Sequence, residues 1–428
     1  MLTVTFRLPS RIAFYLQASI VVALLAGSSA PTPLYATYQH EWGFSPITTT
    51  VVFGVYAVAV LVALLTVGSL SDYIGRRPVL ITSLIVQAAV MVVFTTAGGV
   101  DALLIARIVQ GLSTGAALGA VGAAMLDIDK VKGTLANSLA PMTGTATGAL
   151  GSALLAQYLP DPTHLVYIVL AVIFLAQALG VARSRETATA QPGAWSSLRP
   201  EVSVPARVRT PLILAAPAVI AAWSLAGFFG ALGPTLVRYV SGSTSFVLGG
   251  LSLFVVAGFG AASVSLRNRS PRTLVLLGSA ALIVGIGVVL LGVETTDLPL
   301  FFAGSGITGV GFGASFQGGI RSVVPLAETH QRAGVLSTLF VVSYLAMGLP
   351  AVAAGVLVVH GGGLLSTARI FAIAVMALAS VALLGQLRRT PVPGPATSGP
   401  PAPPPAVDVA QPAHRLDRPT RDPDLVDA

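Results

Sequence analysis

The sequence predicts an all-α integral membrane protein with about twelve transmembrane helices arranged as two six-helix halves. Of its 428 residues, 54% are hydrophobic and only 9% are charged, which leaves too little polar surface to cover a water-soluble globule. The apolar runs are each about 20 residues long, the length at which an α-helix crosses a bilayer, whereas β-barrel strands would alternate over about ten residues. The chain is therefore expected to be a helical bundle in a lipid bilayer.

The first apolar segment follows two arginines, Arg7 and Arg11, and so resembles a secretory signal peptide. Its apolar run from Ile12 is long, and the later spans provide partners for it, so we interpret it as a retained first helix that ends near Tyr35. The further spans are predicted at about residues 46–68, 79–97, 102–126, 135–159, 165–182, 211–239, 246–266, 273–293, 299–323, 334–359 and 364–387.

A polar stretch divides these spans into two sets of six. Residues 183–210 are rich in Arg, Pro, Ser and Thr and are predicted to form a cytoplasmic linker between an N-terminal half, residues 1–182, and a C-terminal half, residues 211–389. The last segment, residues 390–428, holds 11 of the chain's 29 prolines and little apolar content. It is expected to be a disordered, proline-rich cytoplasmic tail.

The distribution of Lys and Arg predicts the orientation in the membrane. The net charge of +8 is one that a nucleic-acid-binding protein can also show, but here the charges flank the apolar runs. When the three distant tail arginines are set aside, 18 of the remaining 21 Lys and Arg fall on the cytoplasmic side, and the exceptions are Arg107, Arg238 and Arg369. We therefore expect a multi-pass protein of the cytoplasmic membrane, with both termini in the cytoplasm and no nucleic-acid partner.

The stretch from Gly68 to Pro78 is a polar, doubly basic island between the second and third spans. Its two glycines permit a tight turn, Pro78 suits the first turn of the next helix, and Asp72 can cap a helix start. Arg76 and Arg77 place this loop on the cytoplasmic side. The loop residues of interest are Gly68, Asp72, Gly75, Arg76 and Arg77.

An arginine lies inside the fourth span. A charged side chain at the centre of a bilayer costs about 3 kcal/mol or more, so Arg107 is expected to face a cavity or a partner, with snorkelling to the outer interface as the alternative. Gln110 follows within one turn. Gly111, Gly115 and Gly119 recur every four residues, the spacing that lets two membrane helices pack closely.

The fifth span contains Pro141 and Gly144. A proline and a glycine loosen the backbone hydrogen-bond ladder of a helix and permit it to bend. A packing kink without a functional role is the alternative interpretation. The pair is therefore a candidate bend in the fifth helix.

Two equal helical halves, a long linker and the Gly-x-Leu-Ser-Asp-x-x-Gly-Arg-Arg loop resemble the major facilitator superfamily of secondary transporters over about residues 11–388. Tyr73 departs from the basic residue that is usual at its position. The resemblance implies that this loop latches the two halves on the cytoplasmic side, with Asp72 meeting a helix end or a basic partner. The fourth span resembles a second signature of the family through Leu103, Arg107, Gln110, Gly111 and Gly115, and this resemblance implies that Arg107 is linked to proton coupling.

The fifth span is similar to a glycine-proline signature of antiporting exporters, matching at Pro141 and Gly144 but with Ala140 and Thr145 where glycines are usual. The resemblance implies a substrate cavity between the halves near the bilayer midplane. Ordinary helix packing is the alternative for the aromatic candidates. The candidate lining residues are Tyr35, Arg107, Gln110, Trp223, Phe229, Phe316, Gln317 and Tyr344.

None of the acidic residues lies deep in a predicted span, although a proton-driven exporter usually carries a carboxylate whose pKa is raised by burial. Either a residue at a helix end, such as Glu41 or Asp101, folds inward, or coupling works through Arg107 and the charge of the substrate, or the protein is a uniporter. A deep arginine without a buried acid would also suit an anionic substrate.

The function predicted from these features is the export of small amphipathic compounds in exchange for protons, by a monomer that requires no cofactor or metal. Uptake or uniport of a sugar or organic anion is the first alternative. A non-transporting membrane receptor or scaffold, with the tail as its docking segment, is the second. An enzyme is not expected, because the chain has no cysteine and no constellation of buried acid, base or metal ligands.

Overall fold

The computed structural model describes residues 8–388, and all regular structure in this range is helical. The long helices of the first half are α1 Ser10–Ser29, α2 Pro46–Thr66, α3 Arg76–Thr95, α4 Val100–Ile128, α5 Lys130–Tyr158 and α6 Leu165–Ala182. Those of the second half are α7 Ala206–Ser241, α8 Phe246–Ala262, α9 Pro271–Glu294, α10 Leu298–Val323, α11 Arg332–His360 and α12 Gly363–Leu387. The predicted fold class is confirmed. Residues 1–7 and 389–428, including the predicted proline-rich tail, lie outside the described residues.

Within residues 8–388, 11 helical spans are long and apolar enough to cross a membrane. The first, Ser10–Trp42, joins α1 to the 3-10 turn Thr32–Leu34 and the short helix Tyr35–Trp42. The long helix not counted among these spans is α5, whose 29 residues include many Ser, Thr and Gly. It nevertheless packs within the bundle, mainly against α1 and α8. The chain is therefore a multi-pass membrane protein.

The first helix ends earlier than predicted, at Ser29 rather than near Tyr35. Proline has no N–H to donate and its ring obstructs the preceding turn, so Pro31 and Pro33 interrupt the helix. Tyr35 instead begins the short helix that continues to Trp42. Tyr35 therefore lies on a separate element beyond the end of α1.

α5 begins at Lys130 rather than near residue 135. The carboxylate of Asp129 caps the helix by accepting hydrogen bonds from the main-chain N–H groups of Val131, at 3.1 Å, and Lys132, at 3.0 Å. Hydrogen bonds from Lys132, first from its backbone and then from its side chain, hold the pKa of Asp129 below its usual value. The capping residue thus decides where this helix starts.

Two other boundaries differ from the prediction. α7 starts at Ala206, so the linker between the halves covers residues 183–205 rather than 183–210. α8 ends at Ala262 and is followed by the 3-10 segment Ser263–Asn268, where one continuous span was expected. The second half therefore starts earlier, and its helix α8 ends earlier, than the lengths of the apolar runs alone indicate.

Each half contains a hydrophobic core of its own. In the first half, the core extends from Phe14 of α1 to Val181 of α6. In the second, it extends from Ala221 of α7 to Ala379 of α12 and also includes Ala149 of α5. Up to Arg388 the two halves form one compact body, joined chiefly by α2 with α11 and by α5 with α8.

Small residues bring the two halves into close contact. A methyl group added at Gly54 of α2 would lie 2.8 Å from Val352 of α11, and one added at Gly250 of α8 would lie 2.5 Å from Ala153 of α5. The loop at residues 68–78 and the linker lie at one end of the bundle, the linker end. The turn after α1 and the last turns of α7 and α11 lie at the other end of the bundle, which we call the opposite end.

Candidate functional site

Arg107 of α4 is completely buried, and its hydrogen-bond partners are neutral. One terminal nitrogen donates to the carbonyl oxygen of Ser28 and to Oε1 of Gln110, each at 2.8 Å. Nε donates to the hydroxyl of Tyr35 at 3.1 Å, and the second terminal nitrogen also donates to that hydroxyl. The side chain thus finds partners inside the bundle, and the snorkelling alternative is wrong.

Three aromatic rings surround the guanidinium of Arg107. Its central carbon lies 5.1 Å from the ring centroid of Tyr56, 5.7 Å from that of Tyr35 and 5.9 Å from that of Phe94. At such distances a ring face attracts a cation. Within residues 8–388, no Asp or Glu forms an ion pair with Arg107, and none is buried. Dipoles and ring faces stabilise the charge, and no carboxylate neutralises it.

Two glutamines extend this polar network from α4 to α3. Nε2 of Gln110 donates to the carbonyl oxygen of Gly27 at 3.0 Å, and Nε2 of Gln87 donates to that of Gln110 at 3.1 Å. Gln87 also donates to the hydroxyls of Ser113 and Thr114 at 2.8 Å. Sequence reasoning missed Gln87. Its position in the middle of an apolar span was the signal that could have identified it, since polar groups there require partners.

The acidic residues considered for proton coupling remain at the surface. Glu41 and Asp101 are both exposed, so the hypothesis that one of them folds inward is wrong. Glu294 is paired with Arg369, through hydrogen bonds from the guanidinium, at the opposite end of the second half. Residues 8–388 also contain no cluster of potential metal ligands.

A small cleft opens between the two halves at the opposite end. It has a volume of about 40 Å³. Tyr35 is one of its lining residues, and the hydroxyl of the same residue accepts hydrogen bonds from Arg107. The lining residues are Thr32, Tyr35, Ala36, Gln39, Pro46, Thr49, Ala231, Leu232, Pro234, Thr235 and Val358. Tyr35 therefore connects the cleft with the buried guanidinium of Arg107.

An aromatic cluster lies where the halves meet. The ring centroid of Trp223 of α7 lies 5.2 Å from those of Phe316 of α10 and Tyr344 of α11. Tyr56 of α2, which faces Arg107, packs in the same hydrophobic cluster as Tyr344. The fold thus brings three of the candidate lining residues together, and Tyr56 connects them with the arginine.

Two further candidates behave differently. Phe229 is fully buried and packs near Phe228 and Phe301 in the core of the second half, with centroid distances of 6.4 and 6.0 Å, so it does not join the cluster around Trp223. Gln317 is half-buried. Oε1 of Gln317 and Nε1 of Trp223 are buried atoms without a hydrogen-bond partner among the described residues. Such atoms favour a polar ligand or water.

The loop at residues 68–78 contains a local ion network. Asp72 lies inside the short helix Leu70–Ile74 and pairs with Arg76, so the expected helix cap by Asp72 is not formed. Arg76 also donates to the hydroxyl of Ser71 at 2.8 Å and lies 3.4 Å from a carboxylate oxygen of Asp127, near the end of α4. The acid therefore meets a basic partner within its own loop.

Glu186 of the linker binds the first turn of α3. Its carboxylate oxygens accept hydrogen bonds from the main-chain N–H groups of Arg76, at 2.8 Å, and Arg77, at 3.0 Å. Gly75 has φ of +99°, and a Cβ there would lie 2.7 Å from the Glu186 carboxylate. This glycine therefore permits both the turn and the close approach. Pro78 lies in the first turn of α3, as predicted.

The linker also contacts the second half. The N–H of Gln191 donates to the carbonyl of Tyr73 at 2.8 Å. Further along, the N–H of Ser203 donates to the carbonyl of Gly334 at 3.3 Å, and the hydroxyl of Thr338 donates to the carbonyl of Ser203 at 3.2 Å. The hydrogen bonds that run from the loop toward α11 thus pass through the linker. The latch role of the loop itself stays a prediction.

Gly111 and Gly115 of α4 and Gly144 of α5 serve helix packing. Methyl groups at Gly111 and Gly115 would lie 2.6 Å from Cβ of Ala59 and from the carbonyl oxygen of Val60, respectively, so α4 and α2 pack backbone to backbone. A methyl at Gly144 of α5 would lie within 3 Å of α1. Pro141 lies one turn earlier, inside the continuous helix.

Comparisons with known proteins agree on the fold. The family model described as Major Facilitator Superfamily matches residues 18–295. The chain superposes on a mutant of the nucleoside transporter NupG with a TM-score of 0.68 at 11% identity, and on NupG itself with 0.64 at 13%; both alignments cover 88% of this chain and 100% of the other. The human organic anion transporter MFSD10 (TETRAN) gives 0.62 at 17% identity, covering 89% of this chain and 99% of that one. No curated protein matches the sequence.

Proposed function

The chain belongs to the major facilitator superfamily, and from this membership we propose that it carries small amphipathic compounds across the membrane by alternating access. It is a transporter and not an enzyme. The observation that carries the substrate proposal is the aromatic cluster of Trp223, Phe316 and Tyr344 between the halves. Family transporters bind substrate at this interface, which each side of the membrane reaches in turn.

The chemistry of the cluster suits a ligand that is apolar on one side and polar on the other. Aromatic rings supply a large apolar surface with defined stacking geometry. Nε1 of Trp223 adds a donor that no described protein group satisfies, and Oε1 of Gln317, the residue after Phe316 in α10, is an unsatisfied acceptor. A bound compound that hydrogen-bonds to them would recover the cost of burying them, which is about 1–3 kcal/mol for each group.

We propose export in exchange for protons as the direction and coupling. The support is the resemblance of Arg107 and of Pro141 with Gly144 to family signatures of proton-coupled exporters. Because no carboxylate in residues 8–388 is buried, coupling would work through Arg107 and the charge of the substrate rather than through a buried acid. Arg76, Arg77 and Asp72 would act as the latch during the exchange.

The proposed setting is the cytoplasmic membrane, with a monomer in the bilayer and both termini in the cytoplasm. This orientation follows from the charge count, in which 18 of 21 basic residues fall on one side. The linker end would then face the cytoplasm and the opposite end the outside.

Uptake or uniport of an organic anion or sugar is the second candidate. Arg107 favours the anion, because it is a buried cation without a carboxylate partner in residues 8–388. One structural neighbour is named as an organic anion transporter and another as a nucleoside transporter. A receptor or scaffold that uses residues 390–428 for docking is the third candidate, and deleting that tail should then abolish its function.

The test is transport in inverted membrane vesicles that hold a pH gradient, with lipophilic cations, organic anions and sugars added in turn. We expect a compound-dependent collapse of the gradient for the wild type and for the matched control Trp195→Phe, whose side chain is 87% exposed. Trp223→Phe should raise the KM of the same compound. Deletion of residues 390–428 should change neither the collapse of the gradient nor the KM of the compound.

The other outcomes separate the candidates. Flux of labelled compound without a pH response would reject proton exchange and retain transport. If the wild type transports a compound and Trp223→Phe changes its KM no more than Trp195→Phe does, that result would reject the aromatic cluster as the binding site. If correctly folded protein showed neither collapse of the pH gradient nor flux of labelled compound, the result would count against transport and in favour of a receptor or scaffold.

A further inference from the structure

We infer that the cleft at the opposite end binds an anionic group of the transported compound, with Arg107 as the selecting charge and the Tyr35 hydroxyl as the group that the anion replaces. This inference rests on the proposed function, because it assigns the polar end of the amphipathic substrate. The class of substrate is an organic anion with a carboxylate or a group of similar size.

The charges of this region support the assignment. Three basic residues fall outside the cytoplasmic side in the charge count, and Arg369 is paired with Glu294. Arg107 and Arg238 form no ion pair with the carboxylates of residues 8–388. Arg238 lines a second, smaller cleft that shares Ala36 with the first. An anion therefore meets one exposed cation near the surface and one buried cation behind the cleft.

The size and polarity of the cleft fit a small anionic group. Its volume of about 40 Å³ is room for roughly three water-sized groups, and a carboxylate has three heavy atoms. Thr32 lines the cleft, is 1% exposed, and its Oγ1 has no partner among the described residues. Gln39 and Thr49 add polar side chains to the lining, which contains no Asp or Glu.

Tyr35 separates the cleft from the buried charge. Tyr35 lines the cleft, and its hydroxyl accepts both the Nε hydrogen bond and one terminal hydrogen bond of Arg107. A carboxylate matches a guanidinium with two parallel bonds and binds it about twice as strongly as a neutral oxygen does. Because Tyr35 begins a short helix beyond the proline-interrupted end of α1, its position is not fixed by the long helix.

Packed side chains connect the cleft with the aromatic cluster. Arg107 contacts the Tyr56 ring, and Tyr56 packs with Tyr344 and Trp223 in one hydrophobic cluster. An amphipathic anion that held its charged group near Tyr35 would thus have its apolar body next to the rings between the halves. The cleft and the aromatic cluster together fit one substrate with a polar and an apolar end.

The experiment measures ligand-dependent thermal stabilisation of the purified full-length protein in detergent. Benzoate is the probe, benzamide is its neutral isostere, and chloride and phosphate at equal ionic strength represent free inorganic anions. We expect benzoate to raise the Tm in a saturable manner and benzamide to leave it unchanged. Stabilisation by chloride or phosphate equal to that by benzoate would overturn the assignment to a substrate group, and so would stabilisation by benzamide.

Variants locate the site. Arg107→Gln should weaken benzoate binding by about tenfold or more, since it removes the buried charge. Tyr35→Phe removes the competing hydroxyl and should tighten benzoate binding by about threefold, whereas a purely structural Tyr35 would give unchanged or weaker binding. Arg238→Gln should weaken binding modestly and only at low salt, and Arg369→Gln is the matched control without effect.

The Tyr35→Phe result keeps the inference testable even where Arg107→Gln does not fold. Weaker or unchanged benzoate affinity in Tyr35→Phe would overturn it. Vesicle transport separates this inference from the proposed function: transport that depends on Trp223 and lacks any preference for anions would reject the anion site alone. Benzoate binding that requires Arg107, without flux of any tested compound, would instead reject the transport proposal.

Discussion

The guanidinium of Arg107 donates two hydrogen bonds to the hydroxyl of Tyr35, so the most deeply buried cation of residues 8–388 is held by a neutral oxygen. The two residues come from different helices and lie 72 positions apart in the chain. A buried charge without a counter-ion is costly and is usually retained for a function. This contact connects the cleft at the opposite end with the aromatic cluster between the halves.

Replacing Arg107 with Lys should reduce transport by about tenfold or more, because a single ammonium cannot reproduce the planar set of hydrogen bonds to Tyr35, Ser28 and Gln110. The measurement is the initial rate of substrate flux in vesicles with equal amounts of folded protein. Arg369→Lys, at an exposed ion pair, is the control. A wild-type rate in Arg107→Lys would show that the hydrogen-bond pattern is not required.

Replacing Glu186 with Gln should loosen the contact between the linker and the 68–78 loop. The neutral amide offers one acceptor oxygen, whereas the carboxylate accepts from both Arg76 and Arg77 at the positive end of a helix. The chain contains no cysteine, so Ser197→Cys provides a single labelling site in the linker. Maleimide labelling of that site should become faster by about threefold or more.

Glu201→Gln is the matched control for this measurement, because Glu201 is an exposed linker carboxylate without a hydrogen bond or ion pair in the described structure. Equal labelling rates in Glu186→Gln, Glu201→Gln and the parent would mean that Glu186 does not hold the linker in place.

Replacing Gly75 with Ala should destabilise the protein by about 1–3 kcal/mol, because φ of +99° with an extended ψ is a conformation that residues with a Cβ rarely adopt. The added methyl would also lie 2.7 Å from Glu186. Thermal unfolding in detergent measures the effect. Gly98→Ala is the control, since its added methyl meets no atom within 4 Å; equal Tm values for the two variants would contradict the prediction.

Replacing Gly111 with Val should destabilise the first half by about 1–3 kcal/mol, because the added side chain enters the contact between α4 and α2. The main-chain oxygen of Tyr56 would lie 2.7 Å from the new Cβ and cannot move away without shifting the helix. Gly151→Val is the control, at a helical glycine with open space around it. A lower Tm for Gly151→Val than for Gly111→Val would be inconsistent with backbone-to-backbone packing.

The sequence predicted the helical architecture closely because run length and charge are local properties. The apolar run at residues 165–182 coincides with α6, and the fourth, tenth and twelfth helices lie within a few residues of their predicted bounds. Two of the wrong boundaries follow from particular residues: Pro31 and Pro33 interrupt the first helix before Tyr35, and Asp129 caps the fifth helix ahead of residue 135. Local composition alone gives little weight to such end effects.

The candidate site was predicted only in part. The cost of a charge in hydrocarbon singled out Arg107, but its partners Tyr35, Ser28 and Gln110 come from three helices, and Gln87 was missed. Among the aromatic candidates, Phe229 proved to be a core residue, whereas Phe316 and Tyr344 converge around Trp223. Aromatic residues at helical spacing look alike in a sequence whether they face a core or an interface.

The amino-acid sequence by itself determined that this chain is a bundle of membrane-spanning helices in two halves, because the hydrocarbon layer imposes a length and an apolar composition on every span. It also predicted that Arg107 faces a cavity or a partner, with snorkelling as the alternative that the structure rejects. Only the tertiary structure decided that Tyr35 and not a carboxylate satisfies this charge, and that Glu186 of the linker binds the loop ahead of α3. Those contacts join residues far apart in the chain, and their geometry is set by how whole helices pack.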